Sequence, residues 1–565
     1  SANVWEVMET SSVTTNTNII TDTISNLYKY TGLTDGKFVT PPIVLSGLDS
    51  SNRGTSFWVG YGHHQYFETN NAQDMVLYLG AGSQPATVTV RINGTSWERQ
   101  YQVPANSVLP SDILPKFGLS DSRLLQEGLS EKGISIESDV PITATAHIYA
   151  NTNSGATMLM PVGTYGYEYY ALTSKQYYAN NTYSWFYVVA AYDSTVVEIT
   201  PSKPTLGGRP AGVPFTVHLK KGEVYQVLGG IETGIDGYDL TGSRIKSIGN
   251  EAGKCYPVAV FSGSSRTNIG CGTSRPLSNG DNLIQQNFAF SVWGRRYLTA
   301  PTSHQTDATQ MNGGIFKVMV KDPTTVVRRN GQVLTGLIDN LYYQFDTNMG
   351  EYIEADKPIM VAQFMPSSAT TNGCGYTGQG DPNMIYISPM EQGIKEVALY
   401  RNTESAITVQ YLTLIIPEAG LNSLTIDNSN TFDYVYDHPS LAGYKVVVKR
   451  WLASRGQTVV KSDSAFTATT YGLGSAESYG YNAGTLVKNL NTLPAITNVF
   501  NPVTGTENPY TCTETPFRFK FLSTVEPTSI IWKLDGVDGL VPNQDVIDND
   551  PVYTGTEERN GPLYY

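Results

Sequence analysis

The chain has 565 residues, of which 40% are hydrophobic, with a formal net charge of −13 and a sequence pI near 5.0. This length predicts several domains rather than a single core. No dense cluster of Lys or Arg interrupts the acidic balance, which argues against nucleic acid as a partner. No apolar run approaches the roughly 20 residues that cross a bilayer, so the chain is not expected to span a membrane.

Residue usage predicts an all-β fold. The 37 Tyr, together with recurring Thr and Val, are typical of strands, and the 53 Gly and 30 Pro are typical of turns. No amphipathic pattern is longer than about three helical turns. Few cysteines and only 15% charged residues suit an exported, surface-displayed protein, and a first residue other than Met indicates a processed or excised chain.

The first 50 residues, rich in Thr, Ser and Asn, are predicted to form an extended lead-in that can add a strand to a neighbouring module. From residue 51 to residue 495, related segments recur. The sequence VAVFSGSSRTNIGCGT around Cys271 matches VAQFMPSSATTNGCGY around Cys374. In the same way, SDVPITATAHIY from Ser138 matches SDSAFTATTYGL from Ser462.

The repeated pattern is a turn, often with Pro, followed by a strand of about seven residues. It occurs at Pro141, Pro257, Pro358 and Ala465. A spacing of about 105 residues exceeds the roughly 40–50 of a propeller blade and fits a small β-sandwich. We therefore predict four tandem, similar β-sandwich-like modules, near 54–165, 166–300, 301–395 and 396–490. A closed, propeller-like arrangement of the repeats is the alternative.

Residues 496–565 are predicted to contain a linker and a truncated Ig- or PKD-like module. Cys512 followed by the strand residue Trp532 is typical of an immunoglobulin-like sandwich. Because the module looks incomplete, a longer natural protein is expected.

Four segments in order carry a family resemblance: GTSFWVGYG at Gly54, DNLIQQ and WGRRYLTAP between 281 and 301, DKPIMVAQF at Asp356 and GDPNMIYISPMEQ at Gly380. Together they resemble the amino-terminal domain of the IgGFc-binding protein family, over roughly residues 54–490. The resemblance implies an extracellular, non-catalytic adhesin or scaffold that binds a protein or glycan ligand. It supplies no binding-site residues.

The resemblance also implies a cellular setting. Bacterial members of the family are common in large surface proteins of the Bacteroidetes lineage, where they precede PKD- or Ig-like modules and a carboxy-terminal sorting domain. Cell-surface display, the type IX secretion machinery as a partner and a link to gliding motility are therefore implied.

Catalytic motifs are not recognised in the sequence. It contains neither a Gly-x-Ser-x-Gly elbow nor a phosphate-binding Gly-x-x-x-x-Gly-Lys-Ser/Thr loop, and we predict that the chain is not an enzyme. The alternative is a secreted carbohydrate-active enzyme with accessory β modules, because paired carboxylates cannot be recognised without geometry. The adjacent His63 and His64 would point to opposite faces of a strand, so a surface turn is predicted there rather than a zinc site.

Two acidic turns are candidate calcium sites, and no other cofactor is expected. The turns supply oxygen ligands at short spacing, although Asx-turns explain them equally well. The candidate ligands are Asp427, Ser429, Asp433, Asp548 and Asp550.

The four cysteines permit one principal pairing. Cys271 and Cys374 occupy equivalent places in consecutive repeats, and an exported protein meets oxidising conditions, so a disulfide between them is predicted. Pairing of Cys255 with Cys271 is a second possibility, and four reduced thiols are a third. Cys512 is expected to lack a partner.

Two further features concern modification and binding. The O-glycan signal of the Bacteroidetes lineage is matched at Thr23, Ser194 and Ser464. The Tyr-rich segments 164–172 and 177–187 offer an aromatic binding platform or, for most of their rings, core packing.

Overall fold

The computed structural model describes residues 51–488 except 68–69, 151–152, 252–254, 369–370, 375–379 and 405–406, and outside that range 3–8, 26–31, 37–39, 490, 492–498, 517–523, 530–532, 544–549 and 563–564. The chain divides into two compact units, residues 49–487 and a second unit formed by residues 1–48 with 488–565. Regular structure in the described residues consists of strands and short 3-10 turns. The all-β prediction is therefore confirmed, and no described helix has the length and apolarity needed to cross a membrane.

Part of the expected lead-in forms a sheet of its own. Strands β1 (Asn3–Met8), β2 (Asn26–Thr31) and β3 (Lys37–Val39) pair in that order, all antiparallel. These strands belong to the smaller unit.

The larger unit begins with a first set of strands, residues 54–159. They are β4 (Gly54–Val59), β5 (Asp74–Ala81), β6 (Ala86–Ile92), β7 (Glu98–Val103), β8 (Val108–Pro110), β9 (Gly128–Ser130), β10 (Ile134–Ala150) and β11 (Asn153–Leu159). All except β9 form one seven-stranded sheet in which β10 pairs with β4, β5, β6 and β11.

The second set covers residues 168–286. Its strands are β12 (Glu168–Tyr170), β13 (Gln176–Tyr177), β14 (Ser184–Ala190), β15 (Thr195–Thr200), β16 (Phe215–Leu219), β17 (Val224–Leu228), β18 (Ile231–Thr233), β19 (Asp236–Gly237), β20 (Arg244–Ile248), β21 (Val258–Thr267) and β22 (Asp281–Gln286). Here the long strand of the first set is replaced by two strands: β20 pairs with β12 and β15, and β21 pairs with β14 and β22.

The third set covers residues 294–387. Its strands are β23 (Gly294–Leu298), β24 (Ser303–His304), β25 (Asp307–Met311), β26 (Gly314–Val320), β27 (Val327–Arg329), β28 (Gln332–Val333), β29 (Tyr342–Thr347), β30 (Tyr352–Met365) and β31 (Asn383–Ile387). Since β23 pairs with β30, the set starts before residue 301, where the sequence placed the beginning of its third module.

The fourth set covers residues 394–484. Its strands are β32 (Ile394–Arg401), β33 (Ile407–Pro417), β34 (Thr425–Ile426), β35 (Tyr434–Asp437), β36 (Tyr444–Leu452), β37 (Gly456–Gly474) and β38 (Glu477–Gly484). The long β37 pairs with β32, β33, β34 and β38, as β10 does with its four neighbours.

The repeated Pro pattern marks a bend between two layers. In the first, third and fourth sets, the pairing register shifts next to Pro141, Pro358 and Ala465, and in the second set Pro257 precedes β21. Pro has no N–H to donate to a ladder, so it is tolerated where pairing is interrupted. In the first, third and fourth sets, the long strand pairs with different strands on either side of the bend and so contributes to two layers.

The four sets contact one another in a closed cycle. Their last strands, β11, β22, β31 and β38, each pack against the next, and β38 packs against β11. The cycle closes between the fourth and first sets, where Asn402 Nδ2 donates to the Tyr78 hydroxyl at 2.8 Å and Tyr400 stacks on Tyr78. Where the chain enters and leaves this unit, Ser51 and Leu486 form an antiparallel bridge.

The remaining described elements are short. The 3-10 turns are Gln65–Phe67, Gly118–Ser120, Val162–Thr164, Phe290–Val292, Met390–Gln392 and Glu418–Ser423. In the smaller unit the strands are β39 (Thr492–Asn498), β40 (Phe517–Ser523), β41 (Ile530–Trp532), β42 (Val546–Asp548) and β43 (Leu563–Tyr564). Most of the predicted Ig- or PKD-like module, including Cys512, lies outside the described residues.

Candidate binding surface

The segment that joins β8 to β9 presents large apolar side chains to solvent. Leu119 is 99% exposed and Phe117 70% exposed. Ile113, Leu125 and Leu129 are also exposed, at 50%, 41% and 57%. We call these five residues the connector surface. Contiguous exposed apolar patches mark interaction sites, and these five side chains, close together in sequence, are a candidate for one.

An arginine holds the tip of this segment in place. The Arg123 guanidinium donates from Nε and a terminal nitrogen to the two carboxylate oxygens of Asp121, at 2.9 and 2.7 Å, and from its other terminal nitrogen to Asn71 Oδ1 at 2.8 Å. Burial alone would raise the pKa of Asp121, but its bonds with Arg123 outweigh burial and leave that pKa below its usual value. The same guanidinium lies over the rings of Phe67 and Phe117.

Buried anchors fix the segment on both sides of the tip. Lys116 Nζ donates to the main-chain oxygen of Asn71 at 2.7 Å and forms an ion pair with Asp74 at 2.6 Å. Leu114 and Leu124 are fully or almost fully buried. Between Phe117 and Leu119, Gly118 has a φ of +66°, a backbone conformation that residues other than glycine rarely adopt.

The segment crosses from the first set to the second. Strand β9 extends the sheet of the second set by pairing with β17. The Glu127 carboxylate accepts hydrogen bonds from Thr205 Oγ1 at 2.7 Å and from the Gly207 amide at 3.0 Å. The connector surface is thus exposed but anchored to two sets, so little ordering entropy remains to be lost when it meets a partner.

The sequence reasoning missed this surface. Its signal was the stretch ILPKFGLSDSRLLQEGL, from Ile113 to Leu129, in which apolar residues are frequent but follow neither a strand nor a helix period. Apolar residues without periodicity between two strands could have been read as a loop with exposed side chains.

The Tyr-rich segments contribute mainly to the core. Tyr165, Tyr169, Tyr170 and Tyr187 are buried, whereas Tyr167 is exposed. The half-buried rings of residues 177 and 178 lie under the guanidinium groups of residues 275 and 266. These segments therefore do not form one open aromatic platform.

The prediction of a surface turn at His63 and His64 is wrong, because both side chains are buried. His63 Nδ1 lies 2.7 Å from Ser265 Oγ, and the Tyr66 amide donates to His64 Nδ1 at 3.1 Å. Burial lowers the pKa of His63 to about 4 and that of His64 to about 3. Residues of the second set, among them Gln226 and Ser265, pack against this turn. The sequence of one repeat contains no information about such a contact with the next repeat.

The acidic turn of the fourth set engages separate backbone donors. Asp427 Oδ1 accepts from the Val459 amide at 2.8 Å, and Asp433 Oδ2 accepts from the Arg450 amide at 2.8 Å. Ser429 Oγ accepts from a main-chain amide two residues further on. In the smaller unit, Asp548 ends β42, and Asp550 lies outside the described residues.

The structure joins Cys271 and Cys374 in a disulfide, with their Cα atoms 5.0 Å apart. Cys271 follows β21 and Cys374 follows β30, and the Cys271 amide donates to the main-chain oxygen of Asn372 at 2.7 Å. Cys255 is not part of this disulfide. The bond connects the second and third sets covalently.

The proposed glycan acceptors differ in access. Ser194 is exposed in a turn with a φ of +58°. Ser464 is half-buried in β37, and Thr23 lies outside the described residues.

Fold and surface define an all-β protein with an anchored, exposed apolar segment. The chain belongs to the IgGFc-binding protein family: the model of this family, described as IgGFc binding protein, matches residues 155–472. The chain is 23% identical over 264 residues to the human IgGFc-binding protein, an alignment that covers 46% of this chain and 4% of the human protein. The chain thus aligns with only a small part of that relative. No solved structure matches the chain.

Proposed function

We propose that this chain acts outside the cell as a non-catalytic adhesin or scaffold head that binds a protein ligand through the connector surface. The observation that carries the proposal is the exposure of Phe117 and Leu119 on a segment held by Arg123 and Lys116. The family supports a protein-binding, non-catalytic role. The connector surface lies before the matched residues, so its assignment rests on its geometry.

Protein suits this surface better than glycan as a ligand. The exposed side chains are aliphatic apart from Phe117, and aliphatic groups gain most by burial against a complementary apolar surface. Burying Phe117 and Leu119 would contribute about 1.5–3 kcal/mol each. Since each 1.4 kcal/mol is about a tenfold change in affinity, these two side chains are sufficient to dominate a binding energy.

The proposal includes the setting of the chain in a longer protein. The four strand sets would act as four modules of one head, followed by Ig- or PKD-like modules from about residue 496 and displayed at a bacterial cell surface through type IX secretion. Glycosylation at Thr23, Ser194 and Ser464 would accompany that route.

Binding of purified chain to the Fc fragment of IgG, measured by biolayer interferometry, tests the ligand class, with a glycan array and a panel of glycosidase substrates in parallel. The double variant Phe117→Ser/Leu119→Ser should weaken protein binding at least about tenfold. The matched control is Val333→Ser/Met349→Ser, which removes two exposed apolar side chains from the third set.

Equal loss in both double variants would contradict the surface assignment. Glycan binding that both variants retain would contradict the protein ligand. Turnover of a glycosidase substrate that is lost on mutation of one carboxylate would contradict the non-catalytic role and favour the enzyme alternative.

A further inference from the structure

Three acidic side chains lie at the beginnings of the central strands. Asp281 is the first residue of β22, Glu477 is the first residue of β38, and Asp381 precedes β31 by two residues. Their exposed fractions are 0%, 0% and 1%. Three sets therefore each bring one carboxyl group to the same end of the closed cycle.

The three groups differ in their hydrogen bonding. Asp281 accepts from the Ser154 amide at 2.9 and 3.0 Å and from Asn153 Nδ2 at 3.0 Å. Both carboxylate oxygens of Asp381 and both of Glu477 are buried, and no donor of the described residues reaches them at hydrogen-bond geometry. The Asp381 carboxyl group interacts with Asp281 and with the Ser478 side chain, and the Glu477 carboxyl group interacts with the Asn153 backbone.

No basic side chain of the described residues forms an ion pair with any of the three. Burial disfavours the charged form of all three groups, and repulsion from Asp281 adds to this at Asp381 and Glu477, while Arg266 opposes it at Glu477. Buried carboxylates without compensation are strongly unfavourable. Protons or a cation must therefore balance this cluster.

A neutral oxygen completes the arrangement. Asn153 is fully buried, and its Nδ2 donates to Asp281 and to the main-chain oxygen of Gly280, at 3.0 and 3.2 Å. These two acceptors fix the orientation of the amide, so the other amide atom is the oxygen. No donor of the described part of the chain reaches that Oδ1.

The unpartnered atoms of Asp381, Glu477 and Asn153 are all oxygens, which can accept a hydrogen bond or coordinate a cation. Protons on two carboxyl groups would turn some of them into donors but would leave others without partners. One hard cation can be a partner to several oxygens at once, because calcium takes six to eight oxygen ligands at about 2.3–2.6 Å.

We propose that Asp281, Asp381 and Asn153 Oδ1 bind a calcium-class divalent cation at one end of the central strands, with Glu477 adding negative charge nearby. No three His, Cys, Asp or Glu side chains of the described residues form a complete ligand group. Amide and main-chain oxygens and water therefore fill the remaining positions, as calcium accepts. The cation would hold the first, second and third sets together and is independent of the ligand at the connector surface.

Calcium titration of the full chain after treatment with EDTA tests this site, by isothermal titration calorimetry and by thermal unfolding. Calcium should bind and raise the midpoint of unfolding by a few degrees. Asp381→Asn removes a charge from a side chain without a protein donor and should abolish both effects. Asp427→Asn, in the exposed acidic turn, is the matched control and should retain them.

Absence of heat and of a midpoint shift in the wild-type chain would overturn the proposal. So would an Asp427→Asn variant that loses the response while Asp381→Asn keeps it, since calcium would then bind at the surface turn. If Asp381→Asn fails to fold, the calcium titrations of wild type and of Glu477→Gln decide. A calcium affinity of Glu477→Gln equal to that of wild type would contradict the electrostatic contribution proposed for Glu477. A shared proton would replace the cation under two results together. The wild type would not bind calcium, and Asp381→Asn would be more stable than wild type in EDTA and would not respond to calcium.

Discussion

The central strands and the connector surface reverse the usual distribution of side chains. The sequence DNLIQQ of β22 is polar at four of six positions, yet every residue in the strand is buried. The connector surface instead places Phe117 and Leu119 in solvent. Exposed leucines are common singly, so buried polar groups and gathered apolar ones are the informative departures.

The difference teaches how each region is stabilised. In the centre, Gln285 Nε2 donates to the main-chain oxygens of Ala156, Met384 and Gly480, one from each of the other three sets. At the surface, ion pairs and turns hold a segment whose apolar groups gain nothing until a partner covers them. Changes in the centre should therefore alter stability, and changes at the connector surface should alter binding alone.

Acid should act on the interior with the largest effect. Burial lowers the pKa of His63 to about 4 and those of His64 and His147 to about 3. An unfolded chain, with a histidine pKa of about 6.5, binds protons that the folded chain does not. The contribution of these histidines to stability is thus complete above pH 6.5 and is lost as the pH drops towards 4, whereas the raised pKa values of Asp281, Asp381 and Glu477 favour folding as the pH falls. At pH 5, each His lowers the free energy of unfolding by about 2 kcal/mol.

Urea unfolding at pH 7 and pH 5 in calcium-containing buffer measures this loss. His63→Gln should make the change between pH 7 and pH 5 about 2 kcal/mol smaller than in wild type, because the contribution of one buried histidine is removed. His218→Gln, at an exposed position in β16, should leave it unchanged. Equal losses in His63→Gln and wild type would contradict a buried, neutral His63.

Loss of the disulfide should have the next largest effect. The chain between Cys271 and Cys374 spans 103 residues, and the chain-entropy relation gives about 4.7 kcal/mol for a loop of about 100 residues as an upper figure. Cys374→Ser should lower the free energy of unfolding by about 2–4 kcal/mol. Cys255→Ser is the control.

Non-reducing peptide mapping accompanies the unfolding measurement. A free thiol at Cys374 in natively exported protein would remove the disulfide from the account, while the repeated strand order would be unaffected.

Removing the central amide should lower stability by a smaller amount. Gln285→Ala leaves buried main-chain oxygens of three sets without their donor, and each such group costs about 1–3 kcal/mol. One NH2 group has two hydrogens and can therefore make two full hydrogen bonds. Losing both should lower the free energy of unfolding by about 3 kcal/mol. Chemical denaturation of Gln285→Ala beside Gln332→Ala, an exposed Gln in β28, makes the comparison; similar decreases in both would contradict a central role.

A change at the connector surface should have the smallest effect on stability. Leu119→Ser alters a side chain that is 99% exposed and should change the free energy of unfolding by less than about 0.5 kcal/mol. Thermal unfolding measures this directly. A decrease of 2 kcal/mol or more, on the order expected of buried side chains, would mean that Leu119 packs within the fold and is unavailable to a partner.

The strand content and the bends could be predicted from sequence because they depend on local chemistry. A Pro that interrupts pairing leaves a mark such as Pro141 or Pro358, and the matched stretches at Ser138 and Ser462 both lie at the bend of a long strand. The equal offset between Cys271 and Cys374 likewise needed only the repeat.

Contacts between distant sets have no comparable signal in the sequence. Asn402 meets Tyr78 across 324 positions, and the polar strand β22 would read as half-exposed because alternation cannot show that three other sets cover it. The buried His63 and the exposed Leu119 were missed for the same reason, since each depends on what another set does or does not cover.

The bridge between Ser51 and Leu486 has a mechanical consequence. Tension applied to the chain on either side of the larger unit acts first on this bridge, because Ser51 and Leu486 are paired where the chain enters and leaves the unit. Force applied at these two residues is therefore expected to separate the bridge before it loads the four strand sets.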